Sequence, residues 1–109
     1  KHGIHGGDVE TSLMLAAAPN HVRMDKAEDF RPASRDMVDA FTWLNAHRPA
    51  GFAWQAQDLH PSGAIGNAAN ASAEKGDALL HHGAQAFCDL LKDVQNFDMA
   101  RLNHAPKSI

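Results

Sequence analysis

From Ser72 to Phe97 the chain repeats apolar residues at helical spacing. Leu80, Gly83, Phe87, Leu91 and Val94 fall three or four apart, and Leu90 widens the stripe. The pattern predicts one long helix, opened by Ser72 or Asn70. A helix with one apolar face has to cover something, and the rest of the chain offers little to cover. Two shorter helices are predicted, over 9–18 and 35–46, with at most two short strands, over 22–24 and 52–59. Nothing reads as a central sheet. The organisation therefore predicts that these 109 residues are part of a larger fold.

Local signals set the expected boundaries. Asp8 is placed to cap the first helix, whose apolar face would be Val9, Leu13, Ala16 and Ala17, and Pro19 ends it. Val22 and Met24 alternate with charged residues, as in a short edge strand or extended link. Ser34 would cap the second helix, with Met37, Val38, Phe41 and Leu44 on one side. "RPAG" at 48–51 is a turn, and the alternation of Phe52, Trp54 and Ala56 suggests a strand. "HPSGAIGN" is a loop. Residues 1–8 hold three glycines and read as loop, and the polar stretch 103–109 reads as a loose tail.

Charge narrows the function classes. The net charge is −3 and the ten Lys and Arg are scattered, so no basic face marks a nucleic-acid or acidic-membrane partner. No apolar run approaches the roughly 20 residues that span a bilayer. The one cysteine, Cys88, excludes an intrachain disulfide, and a cytoplasmic setting is expected. The chain opens on Lys1 rather than Met and shows no signal-peptide core, so Lys1 reads as a cut boundary or the start of a processed piece. Cys88 reads as a small buried hydrophobe, and Trp43 and Trp54 as core or interface anchors. The adjacent His81 and His82 read as surface residues, and His2 and His5 form only a weak H-x-x-H. Glu74 and Lys75 read as dipole-complementing residues and a surface pair at the start of the long helix.

Candidate chemistry concentrates in "HGGDVETSLML", residues 5–15. A helix N-terminus presents free N–H groups and the positive end of the helix dipole. Gly6 and Gly7 let the backbone turn sharply there, so His5 can fold back over Glu10. A His and a carboxylate facing one pocket make a proton-transfer pair, the carboxylate orienting the imidazole. The alternative is a plain turn and N-cap, with Glu10 complementing the dipole and His5 in solvent. His60, beside Pro61 in a glycine loop, either borders the same pocket or is a turn residue.

The stretch from His5 to Leu15 resembles the His-Gly-Gly-x-x-Glu-Thr-Ser-Leu-Met-Leu signature of the creatininase family. "APNHVRMDKAEDF" at 18–30 is similar to the stretch after the signature helix. "SGAIGNAANASAEKG" at 62–76 resembles a Ser-Gly-x-x-Gly loop leading into an Ala-x-x-Glu-Lys-Gly helix. The resemblance implies a three-layer α/β/α fold, of which this chain would be the C-terminal part, itself mostly helical with one or two short strands. It implies metal-dependent hydrolysis of non-peptide C–N bonds, often in cyclic amides. His5 and Glu10 match the catalytic His and Glu of the signature, while Gly6, Gly7, Asp8 and His60 are candidates for lining the pocket.

The departures from the family pattern define the remaining expectations. Lys1 stands where creatininase has a Trp. The family's upstream metal ligands, a Glu-x-His pair, an Asp and an Asn-Gly-His motif, have no counterpart here. The chain is thus expected to hold no metal ligands, to depend on a missing N-terminal part for zinc, manganese or iron, and to be inactive alone. The expected partners are a small-molecule amide, that missing part and further copies in a homo-oligomer. The rivals are a non-catalytic oligomerising or interaction module, and a family relative acting as a formamide hydrolase or peptidase.

Overall fold

The structure, a computed structural model, describes residues 3–102. The elements run α1 (Asp8–Ala17), β1 (Asp29–Phe30), α2 (Ser34–Ala40), α3 (Ala56–Leu59), β2 (Gly66–Asn67) and α4 (Ala73–Asn96), with 3₁₀ turns at Pro19–His21, Met24–Lys26, Ala68–Asn70 and Met99–Arg101. The chain is mostly helical with a small two-stranded sheet, as expected. Lys1, His2 and the 103–109 tail lie outside the described residues.

The sheet is the hub of the small core. β1 and β2 pair antiparallel, Asp29 opposite Asn67 and Phe30 opposite Gly66. The residue before β2, Ile65, is fully buried and bridges to His5, donating to its carbonyl over 2.7 Å. Ala46, Leu59 and Ile65 form the buried cluster, with Ile4, Met37, Trp54 and Ala56 packed against it. Gly66 adopts φ +139°, and a Cβ there would lie 3.0 Å from Gly3 Cα and 3.1 Å from Gly7 Cα. The His-Gly-Gly loop therefore runs directly over β2, at a distance only glycine backbones allow.

Several sequence expectations are corrected. Residues 52–59 form no strand. Instead Gln55 and Asp58 make a reciprocal capping box, with Asp58 accepting from the Gln55 N–H at 2.8 Å, and the chain turns helical at Ala56. Val22 and Met24 form no edge strand: Val22 follows the 3₁₀ turn that Pro19 opens, and Met24 begins the next, in which Lys26 N–H bonds to the Arg23 carbonyl. The short strand lies further on, at Asp29–Phe30. The second helix stops at Ala40, not at 46. Beyond it, the Asn45 side chain bonds to the Ser34 carbonyl and to the Ala46 N–H, a side-chain alternative to helical bonding. Ser34 sits inside the helix, not at its cap.

Four single residues also differ from expectation. Cys88 is exposed on α4. Trp43 is 70% exposed, while Trp54 anchors the core edge by donating its indole N–H to the Ala46 carbonyl at 2.7 Å. Val9 and Ala17 are exposed, so the buried side of α1 centres on Ser12 rather than on the predicted stripe.

α4 begins where the sequence places it. Ser72 is its N-cap and accepts from the Lys75 N–H. Its first turn crosses α1 at Gly76, which is buried against the Ser12 backbone and Ala16. From Asp77 to Leu102 every residue is exposed. The apolar stripe is real, with Phe87 59% and Val94 64% exposed, and nothing among the described residues covers it. Among those residues no helix is long and apolar enough to cross a membrane.

Candidate active site

α1 starts one residue earlier than predicted. Gly7 is its N-cap, and Asp8 and Glu10 both lie in the first turn. Gly6, at φ +63°, takes the left-handed conformation and swings the chain from the His5–Ile65 bridge into the helix. That turn delivers the Gly6 N–H to Glu10 Oε2, in a short hydrogen bond. The other carboxylate oxygen, Oε1, faces His5 Nδ1 at 3.9 Å. The loop thus brings His5 and Glu10 into one pair, a distance suited to an imidazolium–carboxylate contact but long for a direct hydrogen bond. Both side chains are more than half exposed.

Glu10 and Gly6 line a shallow cavity of about 410 Å³ together with Thr11, His21, Arg23, Lys26 and Phe30. His60 does not line it. Its Nδ1 lies 2.8 Å from Ser62 Oγ and accepts from the Ser62 N–H, closing its own turn, and its ring stands edge-on to Phe30 at 5.5 Å. Arg23 and Lys26 were not among the residues the sequence singled out. The available signal was their spacing, since residues three apart eclipse one another in a 3₁₀ turn.

Asp8 neither caps the helix nor joins His5 and Glu10. Its carboxylate accepts from Lys75 Nζ at 2.9 and 3.1 Å, from Asn70 Nδ2 at 2.8 Å and from Ser12 Oγ at 3.1 Å. Ser12 is fully buried and in turn accepts from the Ser72 N–H at 3.1 Å. Lys75 is thereby committed to Asp8 across 67 residues, not to Glu74. This cluster ties the first turn of α1 to the first turn of α4.

The ammonium of Lys75 holds the Asp8 carboxyl below the usual carboxylate range, aided by Asn70 and Ser12 and opposed by partial burial. A depressed folded-state value contributes stability above the unfolded value and loses it as pH falls through the folded one. Stability is therefore expected to drop on acidification below about pH 4, and Lys75→Met should flatten that drop. Both side chains are partly exposed, so the difference between the two proteins should be at most about 1 kcal/mol. Urea denaturation of each at pH 2.5 and pH 6 reads it; equal slopes would remove the pair from the account.

Among the described residues no three His, Cys, Asp or Glu side chains come together as a metal's ligand set. The His5–Glu10 pair offers two donors, and the Gly6 N–H already engages one oxygen of the second. These residues do not make a divalent-metal site.

Comparison with known proteins sets this geometry in context. The creatininase family model, described as creatinine amidohydrolase, matches residues 1–91. A creatinine amidohydrolase of Pseudomonas putida is 35% identical over 89 residues, an alignment covering 82% of this chain and 30% of the relative. The crystal structure of a provisionally assigned creatinine amidohydrolase from Bacteroides fragilis superposes with a TM-score of 0.65 at 20% identity, over 91% of this chain and 37% of that one. The family model and the Pseudomonas putida relative set this chain among the sequence relatives of creatinine amidohydrolases. It belongs to the creatininase family, and it spans about a third of the length of the relatives it matches.

Proposed function

We propose that this chain supplies the acid–base pair of a metal-dependent amidohydrolase acting on non-peptide C–N bonds, such as those of cyclic amides, within a three-layer α/β/α fold. The observation that carries the reading is the turn at Gly6, which folds His5 onto Glu10 within the family signature. Glu10, held by the Gly6 N–H, orients the imidazole through Nδ1 and leaves Nε2 to face a substrate. His5 then takes a proton from the attacking water and returns it to the departing nitrogen, and Glu10 stabilises the imidazolium formed between the two transfers. Among the described residues no ligand set for the divalent metal of such an enzyme (zinc, manganese or iron) comes together, and in this reading the rest of the enzyme supplies its ligands. No step above depends on their placement.

The test is a chimera in which residues 1–91 replace the matching segment of the Pseudomonas putida relative. Hydrolysis of creatinine, or of another member of a panel of cyclic amides, formamides and short peptides, is expected from the chimera and not from the 109-residue chain alone. A folded chimera inert on the whole panel would overturn the reading. A formamide-only or peptidase profile would keep the family chemistry and change the substrate.

A second reading rests on the uncovered stripe of α4, where Phe87, Leu90, Leu91 and Val94 are each more than half exposed. In that reading the chain is an oligomerising or interaction module without chemistry of its own. Exposed apolar surface of this kind drives association. Sedimentation of the chain at several concentrations separates the cases, because a module assembles into one discrete species and an uncovered enzyme segment associates without a defined size.

A further inference from the structure

We infer that the cavity beside Glu10 is an anion subsite, and that the substrate of the proposed amidohydrolase carries a carboxylate. The inference rests on the reading of His5 and Glu10 as the reacting end of the site. Its own support is the way the segment 21–29 divides its charges. That segment holds three bases, His21, Arg23 and Lys26, and three acids, Asp25, Glu28 and Asp29. All three bases line the cavity and none of the acids does.

The division follows from backbone geometry. Lys26 N–H bonds to the Arg23 carbonyl at 3.0 Å, closing a 3₁₀ turn. Arg23 immediately precedes the turn and Lys26 ends it, and both line the cavity while Asp25 between them does not. Asp25 approaches Lys26 only to 3.9 Å, with both side chains 70% exposed, so it competes weakly for the ammonium. Arg23 has no acidic partner within 4 Å among the described residues. Glu10 is the one acid in the lining, and the Gly6 N–H already engages it. A guanidinium and an ammonium on one cavity suit a carboxylate, the guanidinium by a two-point contact and the ammonium as a point charge. A substrate with an amide at one end and a carboxylate at the other would place the amide at Glu10 and the carboxylate at Arg23 and Lys26.

The test is binding, so it does not depend on hydrolysis. The isotope-labelled 109-residue chain is titrated with glutarate and, separately, with its uncharged counterpart glutaramide, following the backbone amides of Gly6, Thr11, Arg23 and Lys26. Glutarate is expected to shift these amides saturably and glutaramide to leave them in place. Arg23→Gln and Lys26→Gln should each weaken glutarate binding about fivefold, the effect of one partly solvated charge contact. Both positions are exposed, so the variants should keep the native circular dichroism. Equal response to the two compounds, no response to either, or unchanged glutarate binding in both variants overturns the subsite. Such a failure leaves the chimera's hydrolysis standing, and an inert chimera leaves glutarate binding standing, so the two ideas fail separately.

Discussion

Gly76→Ala is expected to pry α1 away from α4 and to cost about 3 kcal/mol or more, at the upper end of overpacking substitutions. A Cβ on Gly76 would fall inside the contact radius of the Ser12 carbonyl oxygen and stand 2.9 Å from Ala16 Cβ. The obstacle is backbone, so no rotamer change relieves it. α1 would have to move, and with it the buried Ser12 that accepts from the Ser72 N–H and the Asp8 carboxylate that holds Lys75. The control lies seven residues along the same helix. Gly83 has nothing within 4 Å of an added Cβ and is exposed, so Gly83→Ala should stabilise the helix by about 0.5–1 kcal/mol. Urea denaturation should therefore move the midpoint in opposite directions for the same chemical change. If both substitutions stabilise, the helices do not cross where the structure puts them.

That crossing bears on what could be read beforehand. The start of α4 at Ser72 was legible because capping is local: a hydroxyl meets an N–H three residues on. The turn around Gly6 was legible for the same reason, together with the family signature. Gly76 was visible as part of a motif, but its function depends on Ser12, and that contact is fixed only by the packing of two helices. The Asp8–Lys75 pair spans 67 residues, and no periodicity links positions so far apart. Asp8 therefore read as a cap and Lys75 as the partner of Glu74. The alternation of Phe52, Trp54 and Ala56 looked like a strand, yet a strand needs a neighbour to bond with. None is present there, and the Gln55–Asp58 box redirected the backbone instead. The stripe on α4 lies along one helix, as its spacing predicts, and its residues are exposed because little else among the described residues could cover them.

The second large effect concerns Glu10, for which the structure gives two separable roles. One oxygen accepts from the Gly6 N–H and the other faces His5 Nδ1. If the carboxylate only braces the loop, Glu10→Gln should behave like the native residue, because an amide oxygen still accepts from Gly6. If it stabilises the imidazolium, Gln fails as badly as Ala, since the amide has lost the charge and presents N–H groups to Nδ1. In the chimera with the Pseudomonas putida relative, Glu10→Gln is expected to lower kcat by about 10²–10⁴-fold, the usual range for removing general acid–base assistance. His5→Ala should fall in the same range, and the double variant little further, because residues that act as a unit lose their effect together. Both side chains are largely solvent-exposed, so none of these changes should alter the unfolding free energy by more than about 0.5 kcal/mol. The comparison of Gln with Ala at position 10 is decisive: full rescue by Gln would leave the pair a structural turn, and equal loss makes Glu10 the charge that lets His5 carry a proton.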